Sequence, residues 1–406
     1  MIHRMMRATA AAALLLASNT VPVAGQTQAD GASSTRAVGD TAVSAADAFL
    51  ATLTPAQRKA AVFAFDDAAQ RRRWSNFPDP FVPRAGVRWG EMDERQHAAL
   101  LTLLGTVLSP DGVQMMREQM QADDENRVRD RAGGGPAKLG GPADRRPPLD
   151  FVGGPPRGAG VPPARGAGFP PGPGGPRGFD PRDGSRSGPA GVHFGSDYYF
   201  VSFVGTPSAT DPWMLQFGGH HLGVNATIVG PRITLSPTLT GGEPLRFTAD
   251  GRPVYIVEKE VTAAAALLAS LTPAQHAKAV ISTRHIDLVL GPGQDGRVLQ
   301  PEGLAGATLS ADQKDRLMAV IEARLGILRA EAAAPALAAI RADLDRTYFA
   351  WFGPDAPVGA AYFRVTGPTV LMEYAPQDMD GDATDHAHNM YRDPTNEYGA
   401  KWTTVR

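Results

Sequence analysis

The sequence predicts an α+β protein: an antiparallel β-meander completed by a C-terminal hairpin, with helices packed around it in a single large domain. Short strand-like runs separated by Gly and Pro turns follow residue 201. Helix-start patterns precede and follow that region of the chain. The length of 406 residues and the hydrophobic content of 43% are sufficient for a core.

The first 25 residues are typical of a secretory signal peptide. A basic segment at 1–7 precedes an apolar run at 8–17, and small residues follow at 23–25. The apolar run is too short to span a membrane, and no later run is long enough. We therefore expect a mature protein without a transmembrane segment, located in the periplasm or outside the cell.

The chain contains no cysteine. This excludes disulfides, thiolate metal ligands and a cysteine nucleophile. Any metal ion must therefore be bound by nitrogen and oxygen atoms.

Residues 26–42 are small and polar and predict a flexible lead-in, whereas residues 43–132 predict a helical N-terminal part. Capping-box patterns begin at Thr54, Asp93, Thr272 and Ser310. Because their spacing along the chain is irregular, we interpret them as repeated use of one helix start and not as duplicated modules. The predicted helices cover residues 58–73, 97–108, 110–130, 272–285, 310–328 and 331–348.

Residues 133–191 are dominated by Gly, Pro and Arg and predict a disordered insertion. Residues 131–192 contain nine Lys/Arg and four Asp/Glu, a net charge of 9 − 4 = +5. This tract is either a tether to an anionic surface or a solvated loop. Because aromatic residues are not interleaved with the basic ones, we favour the loop and expect no nucleic-acid partner.

Residues 192–406 form the second part of the predicted domain. Strands are expected at 201–204, 213–217, 221–229 and 233–239, followed by helices and a hairpin at 361–374 around Gly367 and Pro368. The turns between the first four strands are rich in Gly and Pro, which favours antiparallel pairing.

Two histidine clusters suggest a metal site: His220 with His221, and His386 with His388. In an extended segment, His386 and His388 lie on one face, roughly 6.5–7 Å apart at the backbone, so their rings can converge on one ion. Adjacent strand residues point to opposite faces, so we expect only one of His220 and His221 to be a ligand. Gly218 and Gly219 leave that choice open, and ordinary surface or interface histidines are the alternative.

Imidazole ligands favour a divalent transition metal such as Zn, Cu or Fe. Three histidines would leave a fourth position for water, as in a metal-dependent hydrolase or oxidoreductase. The same arrangement suits a non-catalytic envelope or extracellular binding protein. The expected partner is a small molecule or an envelope component of unknown identity.

Further polar residues near these clusters are candidates for supporting roles. Glu243 could be a general base or a solvated loop acid. Arg392 could hold a substrate carboxylate, or it could form a structural ion pair with Asp393 or Glu397. Asn225 and Asp385 could orient the ligand imidazoles, although such residues often bond their own backbone.

Several of these motifs resemble a known family. The stretches are 198–207, 212–225 with its Gly-Gly-His-His-Leu-Gly-Val-Asn motif, 236–241, and 386–399 beginning His-Ala-His-Asn-Met-Tyr-Arg-Asp-Pro. Together they are similar to bacterial secreted proteins of the DUF3500 family. The resemblance covers about residues 45–130 and 195–402, and the long insertion departs from it. The family is one of unknown function, so the resemblance implies a shared fold and no particular reaction.

Overall fold

A computed structural model describes residues 26–79, 81–133, 193–378 and 381–403. The expected signal peptide and nearly all of the expected insertion lie outside these residues.

Within the described residues, helices and strands alternate in two series along the chain. The helices are α1 (Gln26–Thr52), α2 (Pro55–Ala61), α3 (Ala68–Arg71), α4 (Glu94–Val107), α5 (Pro110–Gly133), α6 (Glu258–Ala269), α7 (Pro273–Ala279), α8 (Ala311–Leu325), α9 (Ala330–Ala342) and α10 (Ala400–Thr403). The strands are β1 (Val62–Phe63), β2 (Val87–Arg88), β3 (Phe200–Val204), β4 (Trp213–Gly219), β5 (Leu222–Val229), β6 (Arg232–Thr234), β7 (Thr238–Gly242), β8 (Arg246–Ala249), β9 (Arg252–Tyr255), β10 (Val280–Ser282), β11 (Leu304–Ala305), β12 (Tyr348–Phe352), β13 (Tyr362–Thr366), β14 (Leu371–Pro376) and β15 (Ala387–Arg392).

Most of these strands form one open sheet, in the order β1-β3-β4-β5-β7-β15-β14-β13-β12-β10. Its central ladders are antiparallel, whereas the edge strands β1 and β10 run parallel to their neighbours. At the centre, β7 pairs with β15, so that Gly241 lies opposite His388 and Leu239 opposite Met390. The predicted α+β class, with a meander completed by a C-terminal hairpin, is confirmed.

The two faces of the sheet differ in chemistry. One face is apolar and packs against the helices, with residues such as Phe217, Val224 and Phe363 in its two large clusters. The opposite face is covered mainly by connecting segments and contains buried polar side chains, among them Gln216 and Glu373. Because side chains alternate along a strand, His388, Met390 and Arg392 all lie on this polar face.

The two series of elements repeat one arrangement. Each begins with two helices and a short strand parallel to the first long strand of its half, β1 with β3 and β10 with β12. A second short strand pairs antiparallel with that same long strand, β2 in one half and β11 in the other. Two further helices and an antiparallel meander complete each half, and the halves meet where β7 pairs with β15.

Equivalent hydrogen bonds confirm this correspondence. Gln57 Nε2 donates to the carbonyl of Glu91 at 3.1 Å, and Gln275 Nε2 donates to that of Thr308 at 3.0 Å. The capping motifs are spaced alike, 93 − 54 = 39 and 310 − 272 = 38 residues. Our interpretation of the motifs as repeated use of one helix start, and not as duplicated modules, is therefore wrong. The spacing is irregular over all four motifs, but it is regular within each pair.

Some predicted boundaries also differ from the structure. The expected flexible lead-in at 26–42 belongs to α1, which extends to Gln26 and packs Ala42 and Ala46 into the core. The helix expected at 58–73 is interrupted after Ala61, where the chain enters the sheet as β1. The helix expected at 272–285 likewise ends at Ala279, before β10. In both cases pairing with a long strand overrides local helix propensity.

Candidate metal site

The hairpin between β4 and β5 presents the first histidine pair. Gly219 pairs with Leu222, so His220 and His221 form a two-residue turn and are not part of a strand. His221 has a φ of 58°, a left-handed conformation that is uncommon for residues other than glycine. The expectation that the two rings point to opposite faces is therefore wrong, because their ring centroids lie only 3.7 Å apart.

The second pair comes from the start of β15. His386 immediately precedes the strand, and His388 lies opposite Ala375 on β14 and Gly241 on β7. A Cβ atom added at Gly241 would lie 2.2 Å from the carbonyl oxygen of Ala387. The central pairing of the sheet therefore requires glycine at the point where His388 is presented.

The structure brings His221, His386 and His388 together, although the turn and β15 are separated by more than 160 residues in sequence. The Nε2 atom of His221 is 3.0 Å from Nε2 of His386 and 3.1 Å from Nε2 of His388. Relative exposures are 3%, 8% and 7%, so all three rings are buried. We refer to these three residues as the histidine triad.

The triad fits a metal ion better than it fits a hydrogen-bonded cluster. The Nε2 atom of His221 carries at most one proton and can donate it to only one of its two neighbours. Two nitrogens bound tetrahedrally to Zn at about 2.05 Å would lie about 3.3 Å apart, close to the observed separations. The cluster can therefore hold a divalent metal ion.

Burial keeps the triad neutral. It lowers the pKa of His386 to about 2 and that of His388 to about 3, and neighbouring imidazoles add to the effect. The pKa of His221 is also well below its usual value, because of burial and then the charges that His220, His386 and His388 would carry. Neutral imidazoles have free lone pairs, which is the form that binds a metal ion.

His220 is held by a residue that the sequence analysis did not select. Its Nδ1 atom lies 2.7 Å from Oδ1 of Asp123 on α5, and both side chains are buried. The other carboxylate oxygen of Asp123 accepts a hydrogen bond from the backbone N–H of Gly195 at 3.0 Å. In a neutral imidazole, a carboxylate that accepts the Nδ1 proton leaves the Nε2 atom with its lone pair.

Glu243 directly follows β7 and lies beside the same group of rings. Its Oε1 atom is 3.7 Å from Nδ1 of His386, too far for a hydrogen bond. Its Oε2 atom accepts a hydrogen bond from Asn126 of α5 at 3.4 Å. His220, His221 and Glu243 form a second group whose potential ligand atoms all lie within 4.8 Å of one another.

A connecting segment covers the triad on the polar side of the sheet. The Nδ2 atom of Asn76 lies 3.3 Å from Nε2 of His388. Arg84 fixes this segment to the β4–β5 hairpin, because the two N–H groups of its Nη2 atom are shared among the carbonyls of Ser75, Phe77 and Gly219. Burial lowers the pKa of Arg84 to about 10, so it remains a cation at neutral pH.

The other predicted site residues have structural partners. Arg392 is buried, donates to the carbonyls of Leu290 and Gly291, and forms an ion pair with Glu397 at 2.5 Å. Its donors are therefore used within the protein, as in the ion-pair alternative, and we do not assign it to a substrate.

Asn225 and Asp385 also bond elsewhere. The Asn225 side chain accepts from Gln216 at 3.1 Å and donates to the carbonyl of Pro237 at 3.1 Å. Oδ1 of Asp385 accepts from the backbone N–H of Arg246 at 3.0 Å. Asp123, Glu243 and Asn76 instead place polar groups beside the imidazoles. Asp123 and Asn76 were not identified from the sequence. For Asp123, the one feature that could have suggested a site is that Asp123 and Asn126, three residues apart, place two polar side chains on the same face of α5.

The fold and site together define an α+β protein with a buried three-histidine cluster. The signature of a family described as "Protein of unknown function (DUF3500)" matches residues 35–400, so this chain belongs to the DUF3500 family. No curated protein and no solved structure gives a significant match. Among the described residues, no helix combines the length and the apolar character needed to cross a membrane.

Proposed function

We propose that this protein binds a divalent transition metal ion, of the Zn, Cu or Fe type, through His221, His386 and His388. The observation that supports this proposal best is the convergence of three Nε2 atoms, with His221 at 3.0 and 3.1 Å from the other two. Their burial and lowered pKa values keep the lone pairs available. Nitrogen ligands and the complete absence of thiolates favour these metals over Ca or Mg.

We further propose that the bound ion serves a metal-dependent enzyme, a hydrolase or an oxidoreductase. Three protein ligands leave a coordination position that can supply Lewis-acid or redox chemistry. Asn76 and Glu243 would then place polar groups beside the reacting centre, with Glu243 as the candidate general base. The signal peptide pattern leads us to propose that this activity is located in the periplasm or outside the cell.

One observation favours the second candidate, a non-catalytic binding protein that uses the same triad. A surface cavity of about 520 Å³ is lined by Asp111, Glu118, Tyr255 and Glu260, among others, and by no histidine of the triad. The triad itself is at most 8% exposed. A metal site that substrates cannot reach would have a structural or recognition role and not a catalytic one.

Elemental analysis of the purified mature protein tests the metal proposal. We expect at least one equivalent of metal, and the loss of one equivalent in a His388→Ala variant that still folds. The matched control is His276→Ala, because His276 binds Asp355 at the surface and lies outside the triad. Equal metal content in all three proteins would refute the assignment.

A panel of ester, amide and phosphoester substrates then separates the two candidates. Hydrolysis that is lost on chelation and restored by metal supports the hydrolase. A metal-loaded protein that is inactive on the whole panel, and inactive in redox assays, supports the binding protein.

A further inference from the structure

We propose a second divalent-cation site beside the first, formed by His220, Glu243 and the Nδ1 atom of His221. This inference rests on the proposed function, because His221 would belong to both sites. The two ions together would make the centre binuclear.

The geometry brings three suitable ligands together. His220, His221 and Glu243 each offer an atom within 4.8 Å of the others. The histidines are 6% and 3% exposed, and the Glu243 side chain is 15% exposed. Two nitrogens and one carboxylate oxygen suit a Zn-type ion, as in catalytic sites with three protein ligands.

The Asp123–His220 pair has the form that supports a metal ligand. Metal-binding histidines commonly donate their second ring N–H to a carboxylate, which fixes the tautomer and the direction of the free lone pair. Asp123 is such a carboxylate, 2.7 Å from Nδ1 of His220, and the N–H of Gly195 donates to its other oxygen and holds it in place. Among the triad, Nδ1 of His386 is buried without a hydrogen-bond partner. His220 is thus the most completely prepared ligand of the cluster, yet it lies outside the triad.

His221 can serve both ions because its ring has two nitrogens. Its Nε2 atom faces His386 and His388, so only Nδ1 is available for the second ion. Binding there breaks the Nδ1–H bond, forms an Nδ1–metal bond and releases one proton to the buffer. The carboxylates of Asp123 and Glu243 supply the negative charge that two dications require in a buried site.

Glu243 is better suited to this second ion than to orienting His386. The 3.7 Å separation from Nδ1 of His386 exceeds hydrogen-bond distance. Asn126 binds the other carboxylate oxygen at 3.4 Å and holds Glu243 on the side of α5, where Asp123 also originates.

Zinc stoichiometry after equilibrium dialysis tests this proposal on the full chain. We expect two ions in the native protein and one in Glu243→Gln. The matched control is Glu260→Gln. Like Glu243, Glu260 accepts a hydrogen bond from an asparagine, Asn389 at 3.3 Å, but it does so away from the histidines. This control should retain two ions.

A second variant covers the case in which Glu243→Gln fails to fold. Asp123→Asn removes the carboxylate partner of His220 and should weaken the second ion by about 10- to 100-fold while leaving the first unchanged. Copper loading gives an independent readout, because two Cu(II) ions joined through one imidazole ring couple magnetically. The EPR signal per copper should therefore be smaller in the native protein than in Glu243→Gln.

The outcomes separate the two proposals. One ion in the native protein, lost in His388→Ala, would overturn the second site and leave the first intact. Two ions in both the native protein and Glu243→Gln would also overturn it. No bound ion in any variant would refute the proposed function as well.

Discussion

Replacing His386 and His388 together by alanine should abolish metal binding at the triad and leave the fold intact. The change removes two of the three converging Nε2 atoms, and only His221 remains. Both side chains lie at the start of β15, where backbone pairing with β7 and β14 does not depend on the rings. The variant therefore separates metal binding from folding.

The size of the metal-dependent change in stability follows from mass action. Loss of even a supporting partner lowers metal affinity about 10- to 100-fold, so removal of two ligands should lower it by at least about 100-fold. At a free-metal concentration 1,000 times the Kd, the native protein gains about 4.1 kcal/mol in its free energy of unfolding. For roughly 300 folded residues, this corresponds to a rise in Tm of roughly 6 °C.

The assay is thermal unfolding of both proteins with and without added zinc. The native protein should show the metal-dependent rise, and the double variant should lose most of the part that the triad contributes. A double variant of His276 and His285 is the matched control, because both residues pair with surface aspartates outside the triad. If the His386/His388 variant retains the full rise in Tm, the triad is not the binding site.

The remaining predictions concern pH, Arg392 and the insertion. Unfolded imidazoles bind protons below about pH 6.5, whereas folded His386 and His388 do so only at about pH 2 and 3. The metal-free protein should therefore lose about 2.7 kcal/mol of stability per pH unit as pH falls below about 6. When the free energy of unfolding is measured by urea titration at several pH values, its dependence on pH should be weaker in the His386/His388 variant. Arg392→Ala should cost about 3–5 kcal/mol by leaving Glu397 and two carbonyls without their partner, with unchanged metal content. Deletion of residues 135–190 should leave thermal unfolding nearly unchanged, and a large loss of stability would contradict the composition-based prediction of a disordered insertion.

The sequence was sufficient to select the histidines because their spacing has direct geometric meaning. The two-residue period of a strand places His386 and His388 on one side, whatever the rest of the fold. The same rule failed for His220 and His221, because it assumed a strand where the chain forms a two-residue turn. The left-handed φ of 58° at His221 is set by the turn, and nothing in the local sequence requires that conformation of a histidine.

Contacts from distant helices could not be predicted in the same way. Asp123 lies in a strongly charged stretch of α5 that is typical of a solvated helix surface, yet it is only 3% exposed and binds His220. That contact depends on how α5 packs against the end of the sheet, a relationship between segments almost 100 residues apart. Local patterns specify which side chains share a face, but not which helix will cover them.

The repeated architecture shows why the metal site requires the whole chain. The turn equivalent to His220 and His221 in the second half joins β13 to β14 through residues 367–370, Gly-Pro-Thr-Val, which contain no imidazole. The first half supplies His221, whereas the second half supplies His386, just before β15, and His388, within β15. Their convergence depends on the β7–β15 ladder, which among the described strands is the one pairing between the two halves. A metal ion bound by the triad would therefore cross-link the halves at their junction. Its binding free energy would add to the stability of the interface between them, and neither half alone would retain the site.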